Sequence, residues 1–480
     1  MGVSVKQDTE FRREITRLDA TALVVGTMIG SGIFLVSADI MRQVSSPGVM
    51  LLVWALSGVI TLMGALSYGE LAAMFPNAGG QYVYLREGIS PLFGYLYGWT
   101  LFAVIQTGTI AAVAVAFAKF TAIFWPGLSP DVWFGATVNL GSGPISIGVS
   151  PQRLLAIVSV IALTWINARG VRSGARIQTT LTIVKTLSLA GLVVLGLLIG
   201  RNATAIAANF GANFWPAKGL TLALLPIIGS AMVGSLFSMD SWNNVGFAGS
   251  ELKNPKKDLP LSMAMGTLTV TILYLLANVA YLVTLPGDSI AHAPQDRVGT
   301  AALQAMFGDP GLYLMAGAIM ISTFGCNNGL ILSGARVFYA MAKDNLFFKK
   351  AGTLDPTHQT PKFALWIQAV WTSVLCLSGT YNDLLTYVIA AQLLFYAFTA
   401  LGLFMMRKQR PDAERPVRAP GYPWIPGVYL LSTLVLCIDL LITQTKYAGV
   451  GLIIVALGIP VYFMTKGTGG GVGGQATGAA

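Results

Sequence analysis

The stretch GTMIGSGIF, residues 26–34, lies inside a long apolar segment and decides how the chain is expected to fold. Three glycines and a serine interrupt it, and glycine permits backbone conformations and close contacts that other residues do not. Within lipid, backbone that leaves a helix must line a cavity or a ligand to have its polar groups satisfied. The stretch therefore predicts a membrane helix broken near its middle, although small residues of this kind also pack helices together.

A second polar interruption, FSMDSWNN at residues 237–244, occurs five predicted spans later in a segment that crosses in the opposite direction. Asp, Ser and Asn side chains compete with the backbone for helical hydrogen bonds. A pair of interrupted apolar segments at corresponding positions is the sequence sign of an inverted repeat. The pair favours a cavity over simple helix packing, and it predicts an all-α integral membrane protein with discontinuous helices 1 and 6.

The composition excludes an ordinary water-soluble protein. Hydrophobic residues form 54% of the 480 positions and charged residues 10%, against about 25% charged residues in a typical soluble domain. Apolar stretches long enough to cross about 30 Å of hydrocarbon recur along the whole chain. We predict twelve spans, at residues 17–44, 49–75, 91–120, 153–168, 178–200, 221–250, 259–285, 311–342, 362–379, 384–406, 424–441 and 446–465.

The predicted spans divide into a five-plus-five repeat within a single transmembrane domain. The division is residues 17–200 for the first repeat, 221–406 for the second, 424–465 for two final helices and 467–480 for a glycine-rich tail that we expect to be disordered. Residues 75–91 are predicted to form an interfacial helix on the inner side. Residues 126–151 are predicted to form an outer loop with a short hairpin.

The placement of the basic residues predicts the orientation of the chain. With the N-terminus inside, 22 of the 30 lysines and arginines fall on inner segments, which is the positive-inside bias. We expect a multi-pass protein of the plasma membrane with both termini cytoplasmic, and a first segment that is retained because it lacks a signal-peptide core. The net charge of +10 is then a topology signal and not a sign of nucleic-acid binding, with anionic lipid as a secondary interpretation.

No motif in the sequence points to catalysis, a cofactor or a metal site. The histidines, His292 and His358, fall in loops on opposite faces, so they cannot form a metal or nucleophile site in the membrane. The cysteines, Cys326, Cys376 and Cys437, all lie in predicted spans and imply no structural disulfide. The partners that we expect are a small molecule and membrane lipid.

The two breaks together suit a free amino acid. The outer half of span 1 begins near Gly32 or Ile33, where free N–H groups and the helix dipole attract a carboxylate, and Ser31 can add a hydroxyl. The outer half of span 6 ends in carbonyls that can accept from an ammonium. These are the carbonyls of Phe237, Ser238 and Met239. A zwitterion can thus be bound at the breaks without a formal protein charge for its carboxylate, which would be costly in lipid.

Three side chains near the breaks can each be interpreted in more than one way. Asp240 can neutralise an ammonium, carry a proton or hold the unwound segment by capping nearby N–H groups, and we favour the last. Phe237 suits a gate over a small ligand or ordinary packing. Lys185 either extends to the inner headgroups or occupies the place where a transporter of this plan otherwise holds sodium. In that second role it binds span-1 carbonyls, such as that of Gly26, and hydroxyls such as those of Ser322 and Thr323.

Three further charged residues lie near the inner ends of predicted spans. They are Glu70, Glu251 and Arg336. We interpret them as interfacial anchors or inner-gate partners and not as substrate ligands.

Three ordered motifs resemble a known family. GTMIGSGIF, the stretch YGELAAMFPNAGGQYVYLREGISPLFGYLYGW at 68–99 and DSWNNVGFAGSELKNPKKDLP at 240–260 are similar to the amino acid, polyamine and organocation superfamily, and within it to the L-type amino acid transporters. The resemblance covers spans 1 to 10. It implies twelve helices, exchange transport without sodium, and a substrate held by the unwound parts of helices 1 and 6.

Carried over by position, the resemblance assigns roles to residues of both breaks. The carboxylate segment is Ile29, Gly30, Ser31, Gly32 and Ile33, the ammonium segment is Phe237, Ser238 and Met239, and Lys185 matches the family's span-5 lysine. Members that join a heavy chain resemble one another in an outer-loop cysteine between helices 3 and 4, which this chain lacks, so no disulfide-linked heavy chain is expected. Met239 stands where an aromatic residue is frequent, and Gln392 lies in the region that shapes the side-chain pocket. The preferred side chain therefore stays open.

The function predicted from the sequence is sodium-independent exchange of neutral L-amino acids by alternating access, and not an enzymatic activity. One alternative is proton-coupled uptake or exchange of cationic amino acids or polyamines, motivated by Asp240 and Glu70. Another is an amino acid sensor that binds its ligand without moving it.

Overall fold

The computed structural model describes residues 13–139, 144–378, 381–443 and 445–468, and within them the chain forms a helical bundle with one small β-hairpin. The helices are α1 (Arg17–Met28), α2 (Gly32–Val44), α3 (Pro47–Met74), α4 (Gln81–Gly88), α5 (Pro91–Thr100), α6 (Gln106–Thr121), α7 (Pro151–Ala168), α8 (Val171–Leu198), α9 (Ala203–Phe210), α10 (Leu225–Ser238), α11 (Pro255–Thr284), α12 (Gly287–Ala291), α13 (Val298–Phe307), α14 (Asp309–Lys343), α15 (Lys362–Cys376), α16 (Tyr381–Gln409), α17 (Trp424–Thr443) and α18 (Thr445–Thr468). The strands are β1 (Phe134–Asn139) and β2 (Pro144–Val149). A π-helical segment, Leu101–Ile105, joins α5 to α6.

Local sequence signals explain where several helices begin. Thr16 and Asp19 form a capping box in front of α1, which satisfies free N–H groups of the first turn. Ser46 and Ser150 accept a hydrogen bond from the backbone of α3 and α7. Proline occupies the first turn of both helices, where its missing N–H costs nothing. The residues next to each of these helices thus determine where the helix begins.

Nine helical segments within the described residues are long and apolar enough to cross a membrane. Three shorter apolar helices, Leu222–Ser238, Lys362–Cys376 and Gly451–Met464, coincide with predicted spans 6, 9 and 12. Span 6 is short because its helix ends at the second polar interruption, at Ser238. The helical membrane fold is therefore confirmed, while the count of twelve crossings and the division into two repeats stay predictions.

The broken first span lies at the centre of the bundle. Helix α1 packs against α8, α11 and α14, and α2 packs against α10. Both α1 and α2 are buried over most of their length. The breaks are therefore enclosed by protein and not by lipid, as irregular backbone at membrane depth requires.

Two loop predictions meet different outcomes. The outer segment contains the expected hairpin, with β1 and β2 antiparallel and Phe134 opposite Val149. The segment at 75–91 contains a helix, α4, and its position at the inner membrane interface stays a prediction. Tyr82, Tyr84 and Leu85 are buried, because α4 packs on α5 and α16. The predicted tail begins at Gly467, but Gly467 and Thr468 belong to α18; the rest of the tail lies outside the described residues.

Candidate functional site

The first break separates α1 from α2 over three residues. Ile29 leaves the helical conformation, with φ −74° and ψ 89°, and the helix restarts at Gly32. The N–H of Gly30 donates to the carbonyl of Met28 at 2.9 Å, and that of Phe34 donates to Ser31 at 3.1 Å. The first N–H groups of a helix have no partner within it, so the start of α2 presents donors at the break.

The second break ends α10 at Ser238. Met239 and Asp240 follow, and Ser241 adopts a left-handed conformation with φ 69° before a 3-10 segment begins at Asn244. The carbonyl of Phe237 accepts from the N–H of Asp240 at 3.2 Å, so that predicted ammonium acceptor already has one partner. The end of α10 presents further carbonyls, as every helix end does.

The two breaks touch each other. A Cβ atom placed on Gly32 would lie 2.7 Å from Cβ and 3.0 Å from Cα of Ser238. The Thr27 hydroxyl donates to the carbonyl of Ser241 at 3.1 Å. The N-terminal end of α2, which carries donors, and the C-terminal end of α10, which carries acceptors, therefore lie against each other.

Lys185 of α8 is fully buried and its ammonium binds the first break. Its Nζ donates to the carbonyl of Gly26 and, at 3.0 Å, to that of Ile29. A Cβ on Gly26 would collide with the Thr182 hydroxyl, so a glycine is needed for α8 to approach. The structure thus brings Lys185 and Gly26 together as expected.

The carbonyls at residues 26 to 30 each receive a hydrogen bond from a side chain of another helix. Ser322 donates to Ile29 at 3.2 Å and to Gly30 at 3.3 Å. Thr323, its predicted companion, bonds instead to Ile319 and Met320 of its own helix. Ser322 therefore lies beside Lys185 on a shared acceptor, and Thr323 does not take part.

Two donors to these carbonyls were missed by the sequence reasoning. The Cys326 thiol donates to Thr27 at 3.1 Å, and the Tyr274 hydroxyl donates to Met28 at 2.9 Å. They come from positions about 250 to 300 residues away, and no local pattern marks them. The result is an unwound segment whose carbonyls at residues 26 to 30 are all satisfied by side chains of other helices.

A small, mostly apolar cavity lies beside the second break. It has a volume of about 20 Å³ open to water, enough for roughly one water molecule. Its lining includes Met239, Asp240, Trp242, Gln392, Tyr396 and Tyr429. The Tyr396 hydroxyl donates to Asp240, while Gln392 Oε1 and the Tyr429 hydroxyl are buried with no protein partner. Two of the three predicted gate or pocket residues, Asp240 and Gln392, thus share one cavity; the third, Phe237, is buried at the end of α10.

Comparison with known proteins identifies the family that this arrangement belongs to. A family model described as amino acid permease matches residues 15–463. The chain belongs to the amino acid permease family. It is therefore a multi-pass membrane protein of a family of amino acid transporters.

Three relatives of the permease cover nearly its whole length. The serine/threonine exchanger SteT of Bacillus subtilis (strain 168) is 30% identical over 96% of this chain and 98% of its own. The b(0,+)-type amino acid transporter 1 of Mus musculus is 29% identical over 95% of this chain and 88% of its own. The large neutral amino acids transporter small subunit 2 of Mus musculus is 30% identical over 94% of this chain and 81% of its own.

A buried ion pair fixes the segment that follows the second break of the permease. Arg336 of α14 binds Glu251 through two bonds, Nε to Oε1 at 2.5 Å and Nη2 to Oε2 at 3.2 Å. Both side chains are only 1% exposed. The backbone of Ile15 pairs with this segment, donating to the carbonyl of Glu251 at 2.9 Å. The 3-10 segment after the break is thus tied to both α14 and the N-terminal arm.

Glu70 is also buried and fully engaged. It accepts from Arg407 at 2.9 and 2.5 Å, from Arg415 at 3.1 Å and from the N–H of Ala419 at 2.8 Å. These contacts tie α3 to the loop after α16. Because two guanidinium groups and an amide already bind it, Glu70 is a structural tether and not a ligand for cargo.

Proposed function

We propose that this permease exchanges neutral L-amino acids across the plasma membrane by alternating access, without sodium. The observation that carries the proposal is the buried ammonium of Lys185 on the carbonyls of Gly26 and Ile29. A fixed ammonium there supplies the positive charge that a sodium ion would otherwise bring to the unwound backbone. The transport cycle then needs no cation from solution.

The proposed substrate lies between the two breaks. Its carboxylate binds the free N–H groups at the start of α2, at Gly32 and Ile33, in the segment that begins at Ile29 and includes Gly30 and Ser31. Its ammonium binds carbonyls of Phe237, Ser238 and Met239 at the end of α10. The contact between Gly32 and Ser238 supports one shared gap. The opposed helix ends provide complementary partial charges at low desolvation cost.

Alternating access requires that the inner side of this gap open and close. We propose that the pair of Glu251 and Arg336 holds it closed, because this pair links the segment after the second break to α14. Phe237 covers the substrate from the other side. With both termini in the cytoplasm, the pair lies on the inner side of the membrane.

The permease is proposed to act without a disulfide-linked heavy chain. All three cysteines are buried, so none is available for a bond to a partner. Its oligomeric state is independent of this proposal.

The experiment that tests the proposal is a competition panel on purified protein in proteoliposomes. Vesicles loaded with L-serine take up labelled L-serine in the presence of each of the twenty L-amino acids, in sodium or in choline medium. We expect neutral amino acids to compete, cationic and acidic ones to fail, and the two media to agree. Competition by cationic amino acids alone, or uptake only in sodium, would contradict the proposal.

A second candidate function follows from Asp240. Its carboxylate lines the cavity together with Gln392 and Tyr429, whose buried polar atoms have no protein partner. In this alternative the cavity widens beyond the volume of about one water molecule, and a cationic side chain that enters it meets an acid and two free acceptors. Because Glu70 is already bound by two arginines and a backbone N–H, the proposal of cationic transport rests on Asp240 alone. The same panel decides: competition by L-arginine and L-lysine that disappears in Asp240→Asn, while neutral competitors are unaffected, would establish cationic transport.

Proton coupling is a separate arm of that alternative. Accumulation of label driven by an imposed pH gradient into vesicles without internal amino acid would support it. If Asp240 is only a structural cap, such a gradient will drive no accumulation.

A further inference from the structure

The β-hairpin between α6 and α7 has its apolar face turned outward. In the register of its strands, Phe134 is opposite Val149 and Ala136 is opposite Ile147, while Gly135 is opposite Gly148. Directly opposed residues of an antiparallel pair lie on the same face of the sheet. One face therefore carries apolar side chains and the other, at these positions, carries only glycine. The sequences of both strands, FGATVN and PISIGV, alternate in the same way.

The edge of β2 is held against the protein by a backbone contact. Gly148 is buried, and its N–H donates to the carbonyl of Leu377, at the end of α15, at 3.0 Å. By contrast, Phe134 is 77% exposed and Ile147 is 40% exposed. A hairpin in water would be expected to bury its apolar face, whereas these two apolar side chains lie on the surface.

The hairpin cannot turn its apolar face inward without breaking its base. The buried guanidinium of Arg153, in the first turn of α7, donates to the carbonyls of Gly148 at 2.8 Å and Leu377 at 3.1 Å. The N–H of Trp133 donates to Val149 at 2.8 Å. These bonds hold the base of the hairpin against the start of α7 and the end of α15. They therefore also fix the direction in which each face of the hairpin points.

The surroundings of the hairpin point to lipid as its partner. Trp125, just after α6, and Trp133, just before β1, are 61% and 59% exposed, and tryptophan is enriched where membrane meets water. Nearby, Phe124 contacts Tyr313 of α14 with ring centroids 5.6 Å apart. These aromatic residues lie at one end of the bundle, where α6 and β2 meet the first turns of α7 and α14.

The lipid-facing surface of α7 continues directly from the hairpin. Exposed apolar residues recur along this helix at positions spaced for a single face, namely Leu154, Val158, Ile161 and Trp165. In a membrane-spanning helix such a stripe faces the acyl chains. Its first member lies one helical turn after Ser150, which follows β2 and caps α7.

We propose that the apolar face of this hairpin lies in the interfacial layer of the bilayer and anchors that end of the transporter to lipid. Phe134 and Ile147 insert at the boundary between lipid headgroups and acyl chains. Trp125 and Trp133 lie beside this boundary. Burial of about 5–10 Å below the headgroups is typical of amphipathic surface elements. A small hairpin that offers few apolar side chains suits this boundary better than a stable protein–protein interface, which needs about 1,200 Å² or more.

The test is a measurement of collision with lipid-soluble and water-soluble probes at single labelled positions. Nitroxide labels are placed at Phe134→Cys and Ile147→Cys in nanodiscs that contain one copy of the full chain. Asp131→Cys is the matched control, since Asp131 is an exposed polar residue of the same loop. The native cysteines are all buried. Retained exchange activity shows that the labelled proteins are folded.

At both apolar positions we expect the ratio of collisions with oxygen to collisions with a water-soluble nickel chelate to be several-fold higher than at Asp131. Equal ratios at all three positions would show a hairpin in water and overturn the proposal. Protection of Phe134 and Ile147 from both probes would also overturn it, because protein would then cover the face. Protection from both probes that appears only in discs with two copies would overturn it as well, and would assign the face to a second copy of the chain.

Discussion

Substitution of Gly32 by alanine tests whether the two helix breaks share one gap. A Cβ on Gly32 would lie 2.7 Å from Cβ and 3.0 Å from Cα of Ser238, whereas carbon atoms in optimal contact are about 3.5–4.0 Å apart. Because one of these atoms is backbone, no side-chain rotation relieves the clash. The start of α2 and the end of α10 must therefore separate by about 0.5–1 Å.

The cost of that displacement sets the expected effect. Overpacking of this kind costs about 1–3 kcal/mol. If this cost opposes substrate binding, the affinity for substrate decreases roughly 5- to 150-fold. Ser238→Gly removes the Ser238 side chain, so that only the backbone of residue 238 still crowds the new methyl group. The double variant Gly32→Ala/Ser238→Gly should therefore recover part of the loss, as expected for residues that touch directly.

The assay is binding of labelled L-serine to purified protein, with thermal stability measured in parallel. Gly191→Ala is the matched control, because it also adds one methyl group to a glycine of a predicted span, and a Cβ there meets nothing within 4 Å. We expect Gly191→Ala to bind normally and Gly32→Ala to bind weakly while remaining folded. Normal binding by Gly32→Ala would refute the shared gap. If Gly32→Ala unfolds and Ser238→Gly does not restore its stability, Gly32 serves only to pack helices together.

Three other substitutions probe the remaining parts of the site. Lys185→Ala leaves the buried carbonyl of Gly26 without its side-chain donor and that of Ile29 with Ser322 alone, at about 1–3 kcal/mol. We expect exchange to be lost, while Ser188→Ala, one turn along α8, keeps it; activity in both variants would remove Lys185 from the mechanism. Glu251→Gln disrupts a buried ion pair and should destabilise the protein by about 3–5 kcal/mol, measured as thermal stability, whereas Glu87→Gln, in partly exposed pairs, should cost about 0–1 kcal/mol. A similarly small change in thermal stability for both variants would contradict the proposal that the pair of Glu251 and Arg336 holds the inner side closed. Asp240→Asn keeps an acceptor for Tyr396, so L-serine exchange should persist; its complete loss would show that the charge of Asp240 takes part.

The breaks could be located from sequence because their cause is local. Glycines at 26, 30 and 32 and the polar run after Phe237 disfavour helix whatever packs around them, and α1, α2 and α10 end or begin at these residues. The span starts at Pro47 and Pro151 were likewise within a few residues of prediction, because a serine cap and a proline mark them.

What lies around the breaks depends on contacts between distant parts of the chain. Nothing near Cys326 or Tyr274 indicates that they donate to the first break, and Thr323 differs from Ser322 only in the face of α14 that it occupies. The burial of Glu70 by Arg407 and Arg415 joins residues more than 330 positions apart. For α4, the sequence predicted a helix on the inner side but did not show that its packing on α16 buries it.

Counterflow of labelled L-serine in proteoliposomes, compared between sodium and choline media, decides whether the permease exchanges amino acids without sodium. We expect equal initial rates in both media when the vesicles contain unlabelled L-serine, and almost no uptake when they are empty. Uptake into empty vesicles that follows an inward sodium gradient, unchanged in Lys185→Ala, would instead show sodium-coupled transport in which Lys185 has no part.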